Sequence, residues 1–330
     1  MGDRRRPSKK MASDNPSYKG RIKQEADFWD ERAAAFLASG RTPLWFDHRR
    51  GQDVTFIPLD QLRGAGLRAN PVLYRAIFGE MIDYMLKEAS QKKGFALDLG
   101  CGAGWFSLEL ARWGMNVDGF DISPLQIAVA KKMAKESEES SDPALHVDFG
   151  RTNYDVVDLN WVTLEKNKYE AVVSLGALHH IQGLDHLFGE IKKSLKSGGK
   201  FIFYEWVGYH GLSRLFPALF HAVGSLLKFW AWLRKGKGRL LIASPFEGIS
   251  GERIIDLTRR EFSLEMLQHK FLFLPVLISQ LRIYRLHRAF SLPLARFLNW
   301  LDHSLNQTGL FKGPFVLGLA RKNEDRQGTE

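Results

Sequence analysis

The residues best suited to chemistry form a glycine loop with a carboxylate just before it. The run Asp98-Leu99-Gly100-Cys101-Gly102-Ala103-Gly104 continues an apolar segment from Phe95, which indicates a buried strand. Such a loop brings bare backbone close to a ligand at the N-terminus of the next helix, predicted from Trp105 onward. The carboxylate of Asp98 would not help to bind an anionic pyrophosphate, but it favours a ligand with a cationic amino-acid group. The pattern therefore predicts a nucleotide-type ligand that carries a positive charge.

A second carboxylate, Asp121, ends the next short strand, about twenty residues further on. At a strand tip beside a glycine loop, it is placed to accept hydrogen bonds from both hydroxyls of a ribose. Ser123 is then predicted to cap the following helix. The loop spacing differs from G-x-G-x-x-G and no Gly-Lys-Ser/Thr follows, which disfavours dinucleotide and nucleoside-triphosphate folds. The alternatives are a plain strand–helix turn at the loop and a turn or cap role for Asp121.

Further strands alternate with helical patterns along the chain. This alternation predicts a parallel sheet with right-handed crossovers. The third, fourth and fifth segments each combine a strand with a polar turn, a loop of paired histidines or a Gly-Gly turn, and a sixth strand and a last strand follow. These segments are Asn153–Asn160, Tyr169–His180, Leu195–Glu205, Glu261–Met266 and Gly313–Lys322.

In this order, the motifs resemble those of class I S-adenosylmethionine-dependent methyltransferases. The resemblance covers about Phe95 to Trp206 and includes Asp158-Leu159-Asn160, Leu178-His179-His180 and Gly198-Gly199. It implies an α/β fold: a Rossmann-like, seven-stranded, mostly parallel sheet with helices on both faces. N-terminal helices and a helical insertion, or lid, between strands five and seven are expected to complete it.

The resemblance also implies a cofactor, S-adenosyl-L-methionine, and a set of residues to hold it. Asp98 and the glycine loop are expected at the methionine end, Asp121 at the ribose, and Ser174 near the sulfonium. The adenine is expected beside the residues that follow the second and third strands. The full predicted set is Asp98, Gly100, Cys101, Gly102, Gly104, Asp121, Ile122, Asp158, Leu159 and Ser174.

Candidate catalytic residues follow the fourth strand and end the fifth. His179 and His180 lie where the acceptor should approach, and a neutral imidazole is an effective base near physiological pH. Glu205 is a second candidate base or an anchor for the acceptor. The alternative for each histidine is that it holds the loop by hydrogen bonding. No metal-binding pattern stands out, so we predict metal-independent transfer to a hydroxyl of a small or lipid-like molecule.

The expected organisation has six parts. They are a disordered basic tail (1–24), an N-terminal helical cap (25–92), the cofactor-binding core (93–207), a helical insertion with the sixth strand that serves as a substrate lid (208–312), the last core strand (313–322) and a tail (323–330). The cap helices are expected either to cover the sheet or to close over the cofactor.

Composition indicates an intracellular protein, expected in the cytoplasm or at the inner face of a membrane. A single cysteine excludes a disulfide framework, and the basic N-terminus lacks the apolar core of a signal peptide. The net charge of +10 allows an RNA or protein substrate, but no RNA-binding module is recognisable and nucleic acid is not expected. A non-catalytic cofactor-binding module is a third possibility. The apolar, basic segment 212–239 is expected to form a lid or to touch a membrane surface. The oligomeric state stays open.

Overall fold

The structure is a computed structural model that describes residues 16–38, 46–47, 52–53, 71–139, 150–215, 251–274 and 288–322. In these ranges the helices are α1 (Pro16–Ala38), α2 (Pro71–Ala89), α3 (Trp105–Arg112), α4 (Pro124–Glu139), α5 (Leu184–Ser194), α6 (Gly251–Glu261) and α7 (Arg288–Gln307). The strands of the main sheet are β1 (Phe95–Leu99), β2 (Asn116–Asp121), β3 (Thr152–Val156), β4 (Tyr169–Leu175), β5 (Leu195–Trp206), β6 (Ser263–Lys270) and β7 (Phe315–Arg321). Two-residue ladders pair Phe46–Asp47 with Gln52–Asp53 and His210–Gly211 with Phe311–Lys312.

The main sheet confirms the predicted α/β architecture. Among the described residues its strand order is β3-β2-β1-β4-β5-β7-β6. Neighbouring strands from β3 to β5 are parallel, whereas β7 runs antiparallel to both β5 and β6. The strand that carries Asp98 therefore lies in the middle of a mostly parallel sheet, as the glycine-loop argument requires.

Helices cover both faces of the sheet, because its central strands are apolar on both sides. In β1, Ala96 packs with α2 and α7 on one face, whereas Leu97 packs with α5 and α6 on the other. A smaller cluster joins α4 to the glycine loop through Cys101 and Tyr154. In the described part of the chain, helices thus pack on both faces of the sheet.

The loops at the carboxyl edge of the parallel strands are joined by backbone hydrogen bonds. The N–H groups of Gly100 and Cys101 donate to the Phe120 carbonyl oxygen at 2.8 and 3.0 Å. The Gly176 N–H donates to the Tyr204 carbonyl oxygen at 2.7 Å. These bonds hold the loops after β1 and β4 beside the ends of β2 and β5, which is the edge where ligands bind in open α/β sheets.

The predicted disordered tail is wrong in its C-terminal part. Helix α1 begins at Pro16, so residues 16–24 are helical rather than part of a tail. The helix is held by a tertiary contact, since the Tyr18 ring packs edge-on against Trp161 at 5.6 Å between centroids. Local charge could not reveal that contact. Residues 1–15 and 323–330 lie outside the described residues.

Two strand boundaries also differ from prediction. The sixth strand is Ser263–Lys270, because Glu261 ends α6 instead of opening the strand. The ladder of β5 already begins at Leu195, and the Gly-Gly segment forms an irregularity within this strand rather than a turn before it. Of the predicted insertion, residues 216–250 and 275–287 lie outside the described residues. In the remaining ranges, no helix is both long enough and apolar enough to cross a membrane.

Helix α7 is fastened to the sheet by one buried carboxylate, Asp302. It is 2% exposed, and its oxygens accept hydrogen bonds from the backbone N–H groups of Leu272, Phe273 and Leu274 at 2.8–3.1 Å. The amide of Asn306, one turn later, also donates to it at 3.1 Å. The segment after β6 therefore depends on a side chain of α7 for its backbone hydrogen bonds.

We expect Asp302→Ala to lower the free energy of unfolding by about 3 kcal/mol or more, because buried N–H groups then lose their acceptors. Asp302→Asn retains one acceptor oxygen and should lose less. Urea unfolding followed by circular dichroism measures both. The control is Asp256→Ala, an exposed aspartate on α6 whose loss should cost less than about 0.5 kcal/mol. Equal losses in Asp302→Ala and Asp256→Ala would contradict the anchoring role.

Candidate functional site

The glycine loop leaves no room for side chains at its ends. Gly100 has φ +71°, and a Cβ there would lie 2.2 Å from the Cβ of Ala177 in the loop after β4. Gly104 has φ +77°, and its Cβ would lie 2.9 Å from the Tyr154 hydroxyl and from the Ala130 Cβ. The glycines are therefore required by backbone conformation and by close packing. The result is a bare, tightly held loop at the N-terminus of α3.

Asp121 lies at the tip of β2 and organises this loop. Its two carboxylate oxygens accept hydrogen bonds from the N–H groups of Gly102 and Ser123, both at 2.9 Å. Burial raises the pKa of this carboxyl, although these bonds act against the shift. Each oxygen keeps a second lone pair, so the carboxylate can still accept hydrogen bonds from a ligand. The predicted cap is confirmed, since the Ser123 Oγ accepts from the Gln126 N–H at 3.0 Å.

Asp98 is almost fully buried behind the loop, with 2% of its surface exposed. The Ser107 hydroxyl, in the first turn of α3, donates to its Oδ2 at 2.6 Å. Burial raises the pKa of Asp98 to about 7, the Ser107 hydrogen bond opposes the shift, and the nearby Asp121 charge adds to it. No cation pairs with Asp98 among the residues that the structure describes, and a buried carboxylate in this situation favours a positively charged ligand group.

The turn after β3 provides a third carboxylate at the same edge. The Asp158 Oδ1 accepts hydrogen bonds from the backbone N–H and the side-chain amide of Asn160, at 3.0 and 2.8 Å. Its Oδ2 accepts one from the Tyr18 hydroxyl of α1 at 2.7 Å. The neighbouring Leu159 is 4% exposed and packs in the core.

The loop after β4 is organised by Glu205, whose side chain is fully buried. The Glu205 Oε1 accepts hydrogen bonds from the backbone N–H groups of Ala177 and Leu178, both at 2.8 Å, and from the Ser174 hydroxyl at 3.3 Å. Its Oε2 lies 2.8 Å from the His179 Nδ1. Since an ionised carboxylate can only accept, the neutral His179 carries its proton on Nδ1. Its Nε2 has no hydrogen-bond partner among the described residues and is left as a proton acceptor.

His180 faces α1 instead. Its Nδ1 lies 3.2 Å from the Glu25 Oε1, and its ring packs edge-on against Trp29 at 5.4 Å between centroids. The Trp29 indole N–H donates to the same Glu25 oxygen at 2.8 Å. Glu25 is 3% exposed, so this contact is closed to solvent. The alternative of a loop-holding histidine therefore fits His180, while His179 retains a free ring nitrogen.

Helix α1 touches the loops that follow three strands of the sheet. Besides the Glu25 and Tyr18 contacts, the Asp30 Oδ1 accepts hydrogen bonds from the Ser123 hydroxyl and from the Leu125 N–H. These α1 residues were not predicted as part of the site. The available signal was their helical spacing, because Tyr18, Glu25 and Trp29 share one face of α1. Because residues 1–24 were assigned to a tail, Tyr18 was separated from Glu25 and Trp29, and their shared face was not recognised.

The predicted residues lie along one edge, but several side chains do not face a ligand space. Glu205 is buried beneath the loop and is occupied by four donors, so the expectation that it meets the acceptor is replaced by a positioning role. Cys101 and Ser174 are also buried, the latter bonded to Glu205, whereas Ile122 is half-buried. In the described ranges, no group of three or more His, Cys, Asp or Glu is placed to hold a metal ion.

Comparison with known proteins places this edge in an enzyme family. The family model described as "Methyltransferase domain" matches residues 97–203. The sterol 24-C-methyltransferase of Saccharomyces cerevisiae is 36% identical over 122 residues, which cover 37% of this chain and 30% of that protein. A ubiquinone biosynthesis O-methyltransferase of Coxiella burnetii is 25% identical over 174 residues, covering 48% of this chain and 70% of that protein.

Two solved structures are also similar to this chain. Phosphoethanolamine N-methyltransferase 2 of Haemonchus contortus, in complex with S-adenosyl-L-methionine, is 20% identical with a TM-score of 0.48, and the match covers 83% of this chain and 62% of that chain. The geranyl diphosphate C-methyltransferase of Streptomyces coelicolor is 14% identical with a TM-score of 0.46, covering 74% of this chain and 79% of that chain. The matched part spans less than a third of the sterol methyltransferase.

The strand order and the glycine loop define an open α/β domain, a class of fold in which ligands bind outside the carboxyl ends of the strands. Residues 97–203 match a methyltransferase domain, in agreement with the resemblance to class I S-adenosylmethionine-dependent methyltransferases. The site fits this cofactor, because a bare loop and three carboxylates line the edge from β1 to β3. Asp98 and the glycine loop would hold the methionine part, Asp121 the ribose, and the Asp158 turn the adenine.

The raised pKa of Asp98 predicts a pH effect on stability. The folded state binds this proton more tightly than the unfolded state, so its contribution to the free energy of unfolding falls as the pH rises from 3.8 to about 7. A cationic amino group of S-adenosylhomocysteine would offset the carboxylate charge above this window. We expect that ligand to raise the melting temperature more at pH 8 than at pH 6.

The matched variant is Asp98→Asn, which cannot ionise and should show the same ligand-induced shift at both pH values. Differential scanning fluorimetry measures all four conditions. Asp155→Asn, an exposed aspartate of β3, controls for the general loss of a charge. If the ligand-induced shift in melting temperature depends on pH in the same way in wild type and in Asp98→Asn, Asp98 does not face the cationic amino group.

Proposed function

We propose that this protein transfers a methyl group to a hydroxyl of a small, lipid-like molecule, with His179 as the general base. The observation that carries the proposal is the pairing of His179 with the fully buried Glu205. This pairing leaves one imidazole nitrogen unpaired at the edge where the family binds its cofactor. The alternatives of an RNA substrate and of a non-catalytic module are outcomes of the tests below.

The Glu205–His179 pair has the arrangement of a base oriented by a carboxylate. The 2.8 Å contact holds the ring and directs the free lone pair to Nε2. The two backbone hydrogen bonds from Ala177 and Leu178 keep the carboxylate in place. A fixed base needs no reorganisation when the acceptor arrives, which is how orientation contributes to rate.

The cofactor, when bound, supplies the activated methyl group on its sulfonium sulfur. His179 Nε2 would take the hydroxyl proton while the acceptor oxygen forms its bond to the methyl carbon. The electron pair of the broken carbon–sulfur bond stays on sulfur. His179 becomes an imidazolium, which the buried Glu205 carboxylate stabilises. A hydroxyl is favoured because this base matters most for an acceptor that must lose a proton as it reacts.

An aromatic cluster around Tyr204 and Trp206, the two residues that flank Glu205 in β5, supports an apolar acceptor. Tyr204 stacks on Phe315 with 5.2 Å between ring centroids, and Trp206 packs edge-on against Phe315 at 5.0 Å. Phe271 joins Tyr204 at 6.2 Å. The indole of Trp206 is 38% exposed, so the cluster extends from the core to the surface at the ends of β5 and β7. Ligand pockets are lined mainly by such apolar and aromatic groups with a few polar ones.

The named relatives support the same class of acceptor. They include a sterol 24-C-methyltransferase and a ubiquinone biosynthesis O-methyltransferase, whose names indicate small-molecule substrates. A phosphoethanolamine N-methyltransferase of Caenorhabditis elegans is 31% identical over 105 residues. These names differ in the accepting atom, so the choice of oxygen depends on the His179 geometry.

We expect His179→Ala and Glu205→Gln to lower kcat by about 10²- to 10⁴-fold. Glutamine can still accept the backbone hydrogen bonds, but its amide donor favours the opposite histidine tautomer, in which Nε2 carries the proton. Calorimetry with S-adenosylhomocysteine should show unchanged affinity in both variants.

The control is His186→Ala, which removes a histidine of α5 that contacts the Val162 carbonyl oxygen. Its kcat should match that of wild type. A normal rate in Glu205→Gln would exclude the orienting role, and a normal rate in His179→Ala would exclude the base.

The acceptor class is tested with radiolabelled S-adenosylmethionine and two cell extracts, one organic and one aqueous. We expect label in a product of the organic extract, with the methylated oxygen identified by mass spectrometry. EDTA should leave the rate unchanged, because the proposed base needs no metal. Label found only in RNA or protein would favour the alternative substrates, and cofactor binding without labelled product would favour a non-catalytic module.

A further inference from the structure

Helix α7 has a buried inner face and an exposed outer face, and the outer face is apolar. Its inner residues Ser291, Ala295, Leu298 and Asp302 are each at most 9% exposed and pack on the domain. Its outer face consists of Phe290, Leu294, Phe297 and Trp300, which are 72%, 37%, 55% and 62% exposed. A helix on the surface of a globular domain is normally polar on the side that faces water. The outer face of α7 therefore has the composition of a contact surface.

The charged residues of α7 and of the segments next to it in sequence are mainly basic. Between Met266 and Lys322 the sequence contains a single acidic residue, Asp302, and that residue is buried and bonded to backbone N–H groups. Arg296 is exposed in the middle of α7, and Lys312 is exposed beyond its end. Within this stretch of sequence, no carboxylate other than Asp302 accompanies these cations.

The apolar surface continues beyond the end of α7. Leu310 is 65% exposed, and Leu212 and Leu215 are 52% and 67% exposed. The short ladder pairs Phe311 with Gly211, which brings Leu310 beside Leu212. Leu310 and Leu212 are therefore exposed apolar neighbours at the ladder, in addition to the outer face of α7.

We propose that the outer face of α7 binds the surface of an anionic lipid bilayer. Exposed Phe, Trp and Leu beside Arg and Lys are the composition of helices that lie in the headgroup region of membranes. Indole and phenyl rings are favoured at that interface. The inference goes beyond the proposed function, since it concerns a surface and not the methyl-transfer site. It also places the contact on α7, in addition to the segment 212–239 predicted from the sequence.

The charge pattern favours a lipid surface over two other occupants. In a symmetric dimer through this face, the cations of one copy, Arg296 among them, would face the cations of the other, and like charges would repel. The segment 216–239 is also basic, with Lys228, Arg234 and Lys235 and no acidic residue. It would bring positive charge to a positive surface. An anionic bilayer complements both.

Co-sedimentation with vesicles tests the proposal. We expect the wild type to bind phosphatidylglycerol–phosphatidylcholine vesicles more strongly than pure phosphatidylcholine, and to bind less in 0.5 M than in 0.1 M salt. Phe297→Ser/Trp300→Ser should weaken binding at least about tenfold, because two interfacial side chains are lost. Arg296→Glu should also weaken it and reduce the preference for anionic lipid.

The matched controls lie at the opposite edge of the sheet. Phe95→Ser removes a 41% exposed aromatic residue at the start of β1, and Arg151→Glu reverses an exposed charge before β3. Both should bind vesicles like the wild type. Thermal melts of every variant verify that the fold is retained, which the exposure of the substituted side chains favours.

Three results would overturn the proposal. They are no binding of the wild type to anionic vesicles, binding that the α7 variants leave unchanged, and a dimer in size-exclusion chromatography that Phe297→Ser/Trp300→Ser dissociates. Neither cofactor nor acceptor is present in these measurements. A failure here therefore leaves methyl transfer intact, and a failure of methyl transfer leaves the vesicle result intact.

Discussion

The buried carboxylate of Glu205 is the interaction on which the proposed site depends. A fully buried charge is costly unless hydrogen bonds satisfy it, and here four donors converge on its two oxygens. Three of them, on Ala177, Leu178 and His179, come from the loop after β4 and hold its conformation, and the fourth is the Ser174 hydroxyl within that strand. The contact with His179 also orients the second nitrogen of its ring. The hydrogen bonds to the buried Glu205 carboxylate therefore both order the loop and orient the proposed base.

The same edge of the sheet is closed by α1, whose polar side chains replace solvent as hydrogen-bond partners of the loops. Tyr18, Glu25 and Asp30 each contact a different loop, after β3, β4 and β2 respectively. A single helix therefore couples three ligand-binding segments that are far apart in sequence. The sequence left two roles open for the cap helices, covering the sheet or closing over the cofactor. The contacts of α1 favour the closing role.

How much was predictable differs between elements for physical reasons. The strands, the glycine loop and the Ser123 cap were predictable because their signals are local: apolar runs, positive φ and a hydroxyl at a helix start. The start of α1 was not, because Pro16 to Gln24 is polar and acquires its order from Tyr18 contacts with Asp158 and Trp161. The roles of Glu205 and His180 were not predictable either, because they depend on partners that are distant in sequence. Glu205 contacts His179 in the loop after β4, and His180 contacts Glu25 on α1.

By itself, the sequence determined the fold class and the cofactor edge, since the spacing of Asp98, the glycine loop and Asp121 has few other physical solutions. It also determined that paired histidines follow the fourth strand. Only the tertiary structure decided which histidine keeps a free nitrogen and that Glu205 acts through it. It also decided that the outer face of α7 stays exposed. Burial and the direction of hydrogen bonds depend on residues that folding brings together, and periodicity along one segment carries no information about them.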